Sequence, residues 1–167
     1  MTVFFFLIEN KCMTKHNSLH VGICELEPLQ VISKRCIFRH SKENHDKKIR
    51  QVFQALREWT VRFGLDPKQL LHIGIPTIED KQLVMYECCM EFHLPMMEDS
   101  AEIQLKTLPG GSYAVLRVEK TPTKIGKAIQ RFHADYIPDN DLVIDDERPI
   151  YEIYYEDTME YCVPILR

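Results

Sequence analysis

The sequence is short of every long apolar run. Its one early candidate, "VFFFLI" at 3–8, falls far below the roughly 20 residues a membrane helix needs, and no basic segment precedes it. Neither a secretory leader nor a membrane anchor is expected, and a cytoplasmic location follows. Basic excess is missing as well. The formal net charge is −4, with Lys and Arg interspersed among Asp and Glu, so the chain has no electrostatic footprint for binding nucleic acid directly. The six cysteines form no CxxC pair and the seven histidines no HxH or HExxH pair, so no metal site and no cofactor is expected, and the thiols read as free. GxSxG, GxGxxG and GKS motifs are absent too, which removes the common hydrolase, dinucleotide and phosphate-loop classes.

What is present is a periodic pattern that changes twice. "LQVISKRCIFR" at 29–39 is rich in β-branched and apolar residues and reads as a strand. In the stretch after it, Ile49, Val52, Phe53, Leu56, Trp59 and Phe63 recur at helical steps and stop at Gly64 and Pro67, which predicts an amphipathic helix. Strands are expected at 70–78 and 82–94, across the turn "EDK". The order then repeats: a strand at 112–120 entered through "PGG", a helix over 121–138 with Thr121 as N-cap and Pro122 at its first position, and a strand pair in "RPIYEIYYED" and "MEYCVPI". Residues 1–20 read as a short extra strand or an extension, with "KCMTKHNS" at 11–18 as a loop.

The halves match in detail, "GIPTIED" answering "EIYYED" and "YECCMEF" answering "EYCVPI", so that Glu87 corresponds to Glu160 and Cys89 to Cys162. The expected fold is therefore α+β, a tandem duplication of a strand-helix-strand-strand unit over about 21–95 and 102–167. A three-stranded unit cannot bury both of its faces, so the halves should join about a pseudo-twofold axis as a curved antiparallel sheet with two main helices and a central groove.

This order, with "LEPLQVISKRCIFRHS", "LPGGSYAVLRVEK", "DYIPDNDLVIDDERPIYEIYYED" and "EYCVPI", resembles the GyrI-like small-molecule-binding family, whose members include DNA gyrase inhibitors and the effector-binding halves of AraC-type and MerR-type transcription regulators. The chain is similar to a stand-alone sensing half over residues 21–166. It departs from the family pattern at "SKENHD" after the first strand and at "RVEKTPTK" in the second half, loops that border the groove in relatives.

The resemblance places Glu152 of "YEIY" in a ligand groove. Strand alternation puts Glu152 and Tyr154 on one face, with Tyr151, Ile153 and Tyr155 on the other. A carboxylate among aromatic rings attracts flat, lipophilic cations, each ring contact contributing about 0.5–2 kcal/mol. The competing reading is a carboxylate satisfied by a neighbouring arginine or by water. The expected ligand-binding set is Glu152, Tyr154, Tyr113, Trp59, Tyr86 and Ile75; taken singly, each aromatic also fits plain core packing.

Three functions follow. The first is sequestration or sensing of lipophilic, often cationic small molecules. The second, which some relatives imply, is hydrolysis of cyclopropane-bearing alkylating toxins, with Glu152 and Tyr113 as the reacting pair. The third is a protein interaction with DNA gyrase through the acidic "DNDLVIDDE" at 139–147, a stretch that reads equally as a solvated connection.

Overall fold

The computed structural model describes residues 13–40, 43–95 and 102–166; "VFFFLI" lies outside them. The first element is a hairpin, β1 (Thr14–His16) and β2 (Leu19–Leu26); β1 lies in the stretch read as a loop. Its two-residue turn, Asn17 and Ser18, has φ of 46° and 67°, the left-handed pair that matches the twist of tight hairpins. Asn tolerates this conformation, and Leu19 and Val21 then have a core to enter.

The remaining elements are β3 (Leu29–Ile37), α1 (His45–Val61), β4 (His72–Glu79), β5 (Gln82–Glu91), β6 (Gln104–Leu108), β7 (Gly111–Glu119), α2 (Pro122–Arg131), β8 (Val143–Ile144), β9 (Tyr151–Tyr154) and β10 (Thr158–Leu166). The fold is α+β with antiparallel pairing, as expected. The chain forms two compact units, one of residues 30–108 and one of 1–29 with 109–167. These units do not coincide with the sequence repeats of 21–95 and 102–167. β2 pairs with β7 in the later half, because its apolar side chains complete the cluster around Ala114 and Leu116, while β6 lies beside β3 of the earlier half.

In the 30–108 unit the strands run β4-β5-β3-β6 and α1 packs on one face. Asn44 caps α1 by accepting from the Lys47 amide at 2.9 Å, and Phe53, Leu56 and Thr60 form its buried stripe. Gly64 at φ 73° follows the helix where the chain turns away. In the other unit the strands run β1-β2-β7-β10-β9, with β8 also on β10. That short pairing puts ladder structure inside 139–147, which is more than a solvated connection; Asp145 in it is held by Arg148 at 2.6 Å and Asp139 by His16 at 3.1 Å.

Thr121 and Pro122 open α2 as the sequence suggests, although the Thr121 side chain makes no capping bond. The helix does not continue as one α-helix to 138. Phe132–Tyr136 is a π turn, closed by the Ile137 amide bonding to the Phe132 carbonyl, and a short helical turn Ile137–Asp139 follows. Pro138 has no N–H to give the Ala134 carbonyl, which removes one α-helical bond at this point.

Candidate functional site

In the unit that holds both chain ends, β10 sorts its side chains cleanly. Met159, Tyr161, Val163 and Ile165 join Phe132, Tyr136 and Ile137 in the core beneath the helix. β9 is registered so that Glu152 lies directly across from Tyr161 and Tyr154 across from Met159, so Glu152 and Tyr154 also lie on the helix-bearing face. Both are half-buried. The Tyr154 hydroxyl donates to Glu152 Oε2 at 2.7 Å. Glu152 in turn acts on Tyr161, whose phenol is pushed up to about 12, first by burial and then by the carboxylate charge. Tyr161 Oη lies 3.0 Å from His133 Nε2 on the π turn, and burial lowers the His133 pKa.

Tyr113 is elsewhere. It is adjacent to Ala114 of the helix-side core, so it projects to the other face, where its ring stacks on Tyr151 at 5.2 Å. It is fully buried, and burial raises its pKa. The Arg148 guanidinium lies over the Tyr113 ring at 5.0 Å and donates to the carbonyls of Gly110, Ser112 and Ile165. This clamp explains the "PGG" turn: Gly111 has φ 112°, and a Cβ there would meet Arg148 Nη1 at 2.2 Å. The pair named for hydrolysis, Glu152 and Tyr113, therefore sits on opposite faces of one sheet.

The same face also carries an arginine-held acid. Glu160 is fully buried; Arg117, its register partner on β7, donates to Oε1 at 2.6 Å and 3.1 Å, and the Tyr155 hydroxyl donates to Oε2 at 3.1 Å.

The 30–108 unit repeats this plan internally. Arg35 of β3 pairs with Glu87 of β5 as Arg117 pairs with Glu160, and Ile75 lies across from Glu87 as Ile153 lies across from Glu160. Here, however, Arg35 stops 3.9 Å from Glu87, and Lys106 takes the other oxygen at 2.8 Å. Cys88 bonds back to the Ile49 carbonyl of α1, so Tyr86, two residues earlier, also faces the helix. Trp59 of α1 meets Phe63 at 4.4 Å and Phe92 at 5.3 Å. Ile75 is buried on the face away from α1, with Glu87. Gly74 occupies the register position of Glu152, and the Tyr86 ring lies over it: a Cβ on Gly74 would fall 1.8 Å from Tyr86 Oη.

Of the six residues predicted to bind ligand, Glu152 and Tyr154 are thus brought together in one unit. Tyr86 and Trp59 share the helix-bearing face of the other, and Tyr113 and Ile75 lie on the faces away from the helices. Tyr161 and His133 were missed. Tyr161 could have been found, because a two-residue turn at Glu156–Asp157 fixes it opposite Glu152; the π turn that aims His133 leaves no signal in the residue spacing. Among the described residues no cluster of three or more His, Cys, Asp or Glu could hold a metal, and no helix is long and apolar enough to cross a membrane.

The GyrI-like small molecule binding domain matches residues 20–166, and the chain belongs to that family. Compared with the curated proteins, the sequence matches none significantly. Among solved structures it is similar to EcmrR in its DNA complex, with a TM-score of 0.70 and 12% identity over 89% of this chain; it spans 58% of the EcmrR chain. SAV2435 bound to tetraphenylphosphonium superposes with a TM-score of 0.54 at 15% identity, covering 88% of this chain and 94% of that one. A hydrolase from Listeria innocua does so at 0.59 and 10%, over 87% and 91%. At these identities the likeness establishes the fold.

Proposed function

We propose that the protein binds lipophilic cations, with Glu152 as counter-ion and Tyr154 beside it, and so sequesters or senses them in the cytoplasm. The observation that carries this reading is the half-buried Glu152 carboxylate, oriented by the Tyr154 hydroxyl on the helix-bearing side of its sheet. A carboxylate there attracts positive charge, and the neighbouring phenol rings offer their electron-rich faces. The family's small-molecule binding supports the reading, as does the structure of SAV2435, which holds the lipophilic cation tetraphenylphosphonium. The five described cysteines are buried and form no disulfide, which fits a reducing compartment.

The test is a fluorescence titration with ethidium, whose positive charge is permanent. Glu152→Gln should weaken binding about 10-fold or more, a loss of about 1.4 kcal/mol. Equal affinity in both proteins would remove Glu152 from the role.

Hydrolysis keeps one supporting observation, the likeness to the Listeria innocua hydrolase. On this chain it would run through Glu152 with Tyr154, since Tyr113 is on the opposite face. Incubation with a cyclopropane-bearing alkylator and detection of the water adduct by mass separates catalysis from binding.

A further inference from the structure

We propose that His133 is a positioning residue of the Glu152 site, acting through Tyr161; the inference rests on Glu152 being the ligand's counter-ion. The π turn is the first observation. An extra residue in a helical turn rotates the side chains that follow it, and such turns recur where a side chain must be re-aimed. Here the turn sends Phe132 and Tyr136 into the core, stacked at 5.2 Å, and leaves His133 half-buried with its ring edge-on to Tyr161.

The second observation is the hydrogen bond, 3.0 Å from His133 Nε2 to Tyr161 Oη. A phenol has a single proton to give. When Nε2 is unprotonated it accepts that proton, and the Tyr161 hydroxyl is turned toward the helix. When Nε2 carries hydrogen it donates to the Tyr161 oxygen, and the hydroxyl proton is free to turn toward the β9 side, where Glu152 lies across the register. His133 thereby governs how much of the carboxylate is left for a cation.

The surroundings make the ring's charge matter. Tyr161 of β10 touches the ring; Glu152 and Tyr154 of β9 lie on the same helix-bearing sheet face, and β7 offers Leu116 and Val118 there, which do not titrate. On its own helical stretch, Arg131 and Asp135 pair with each other at 3.6 Å, and beyond the turn Asp139 is held by His16. An imidazolium would therefore add a positive charge one phenol away from Glu152, the carboxylate on the helix-facing side of β9 and β10. Because burial lowers the His133 pKa, that happens only on the acid side of the ordinary histidine value.

The experiment measures ethidium affinity from about pH 5 to about pH 8 in the native protein, His133→Gln, Tyr161→Phe and Glu152→Gln, each first checked for a native melting transition. Native protein should lose about 10-fold in affinity toward acid, with a midpoint below about 6.5, and His133→Gln should remove that step, whatever it does to affinity at alkaline pH. Superimposable pH profiles for native protein and His133→Gln overturn the inference while leaving the cation-binding reading intact; unchanged binding in Glu152→Gln overturns that reading instead. A ligand-free measurement stands beside it. Nitrogen NMR of the His133 ring should report a changed tautomer balance in both Tyr161→Phe and Glu152→Gln, and resonances unmoved in both also overturn the inference.

Discussion

Tyr154 donates its hydroxyl proton to the carboxylate of Glu152, two residues back on the same strand, over 2.7 Å. Neighbours at i and i+2 share a face, so the strand itself supplies the partner that orients the acid. The acid is oriented before anything binds, which lowers the ordering cost of binding.

Removing that hydroxyl should therefore weaken binding without unfolding the protein. Tyr154→Phe is expected to reduce ethidium affinity by about 3- to 10-fold, roughly 0.7–1.4 kcal/mol, with little change in melting temperature. Isothermal titration and a thermal melt on the same sample check both halves.

Glu160 makes the opposite use of a carboxylate. Arg117→Met strips the arginine from a fully buried acid, and should cost about 2–4 kcal/mol in urea unfolding. Adding Glu160→Met should recover most of that loss, because an apolar pair of similar volume carries no desolvation penalty. A double mutant no more stable than Arg117→Met would show that the ion pair itself, and not the stranded charge, sets the cost.

Gly74→Ala probes the packing of Tyr86. The new methyl would collide with a buried ring, and a loss of about 1–3 kcal/mol is expected. Gly74→Ala combined with Tyr86→Leu should lose less than the sum of the two single changes, since the clash is then gone.

Four of the seven tyrosines, Tyr113, Tyr136, Tyr155 and Tyr161, have pKa values raised chiefly by burial. A folded-state value above the unfolded one means stability that is complete below about pH 10 and is lost as pH rises toward the folded value, about 12 for Tyr161. Titrated by absorbance near 295 nm, no more than three tyrosines should ionise reversibly before the protein unfolds. Reversible ionisation of all seven in the folded protein would contradict the burial described here.

The sequence made some of this legible and hid the rest for identifiable reasons. Helix α1 was readable because its apolar stripe is long and its N-cap and terminal glycine are local signals. The register of β9 on β10 was readable in principle, since an uninterrupted ladder leads from the turn at Glu156–Asp157 back to Glu152 and Tyr161. The corresponding hairpin was not. A register shift between Thr77 and Ile78 moves Gly74 from opposite Glu87, where the turn at Asp80–Lys81 alone would put it, to opposite Cys88. The grouping of Tyr113 with Glu152 failed to anticipate their opposite faces because motif resemblance carries no face information across strands. β2 was overlooked because its partner, β7, lies about 90 residues further along the chain, and no local pattern reports a pairing of that range.

That long-range pairing also orders events during synthesis. The 30–108 unit is one uninterrupted stretch and can fold as soon as it leaves the ribosome, whereas β2 must wait for β7, and β7 for β10, which is made some forty residues later still. The Glu152 site therefore belongs to the late-assembling part of the molecule, and a polypeptide truncated before residue 158 would keep the carboxylate but lose the strand that holds it in place.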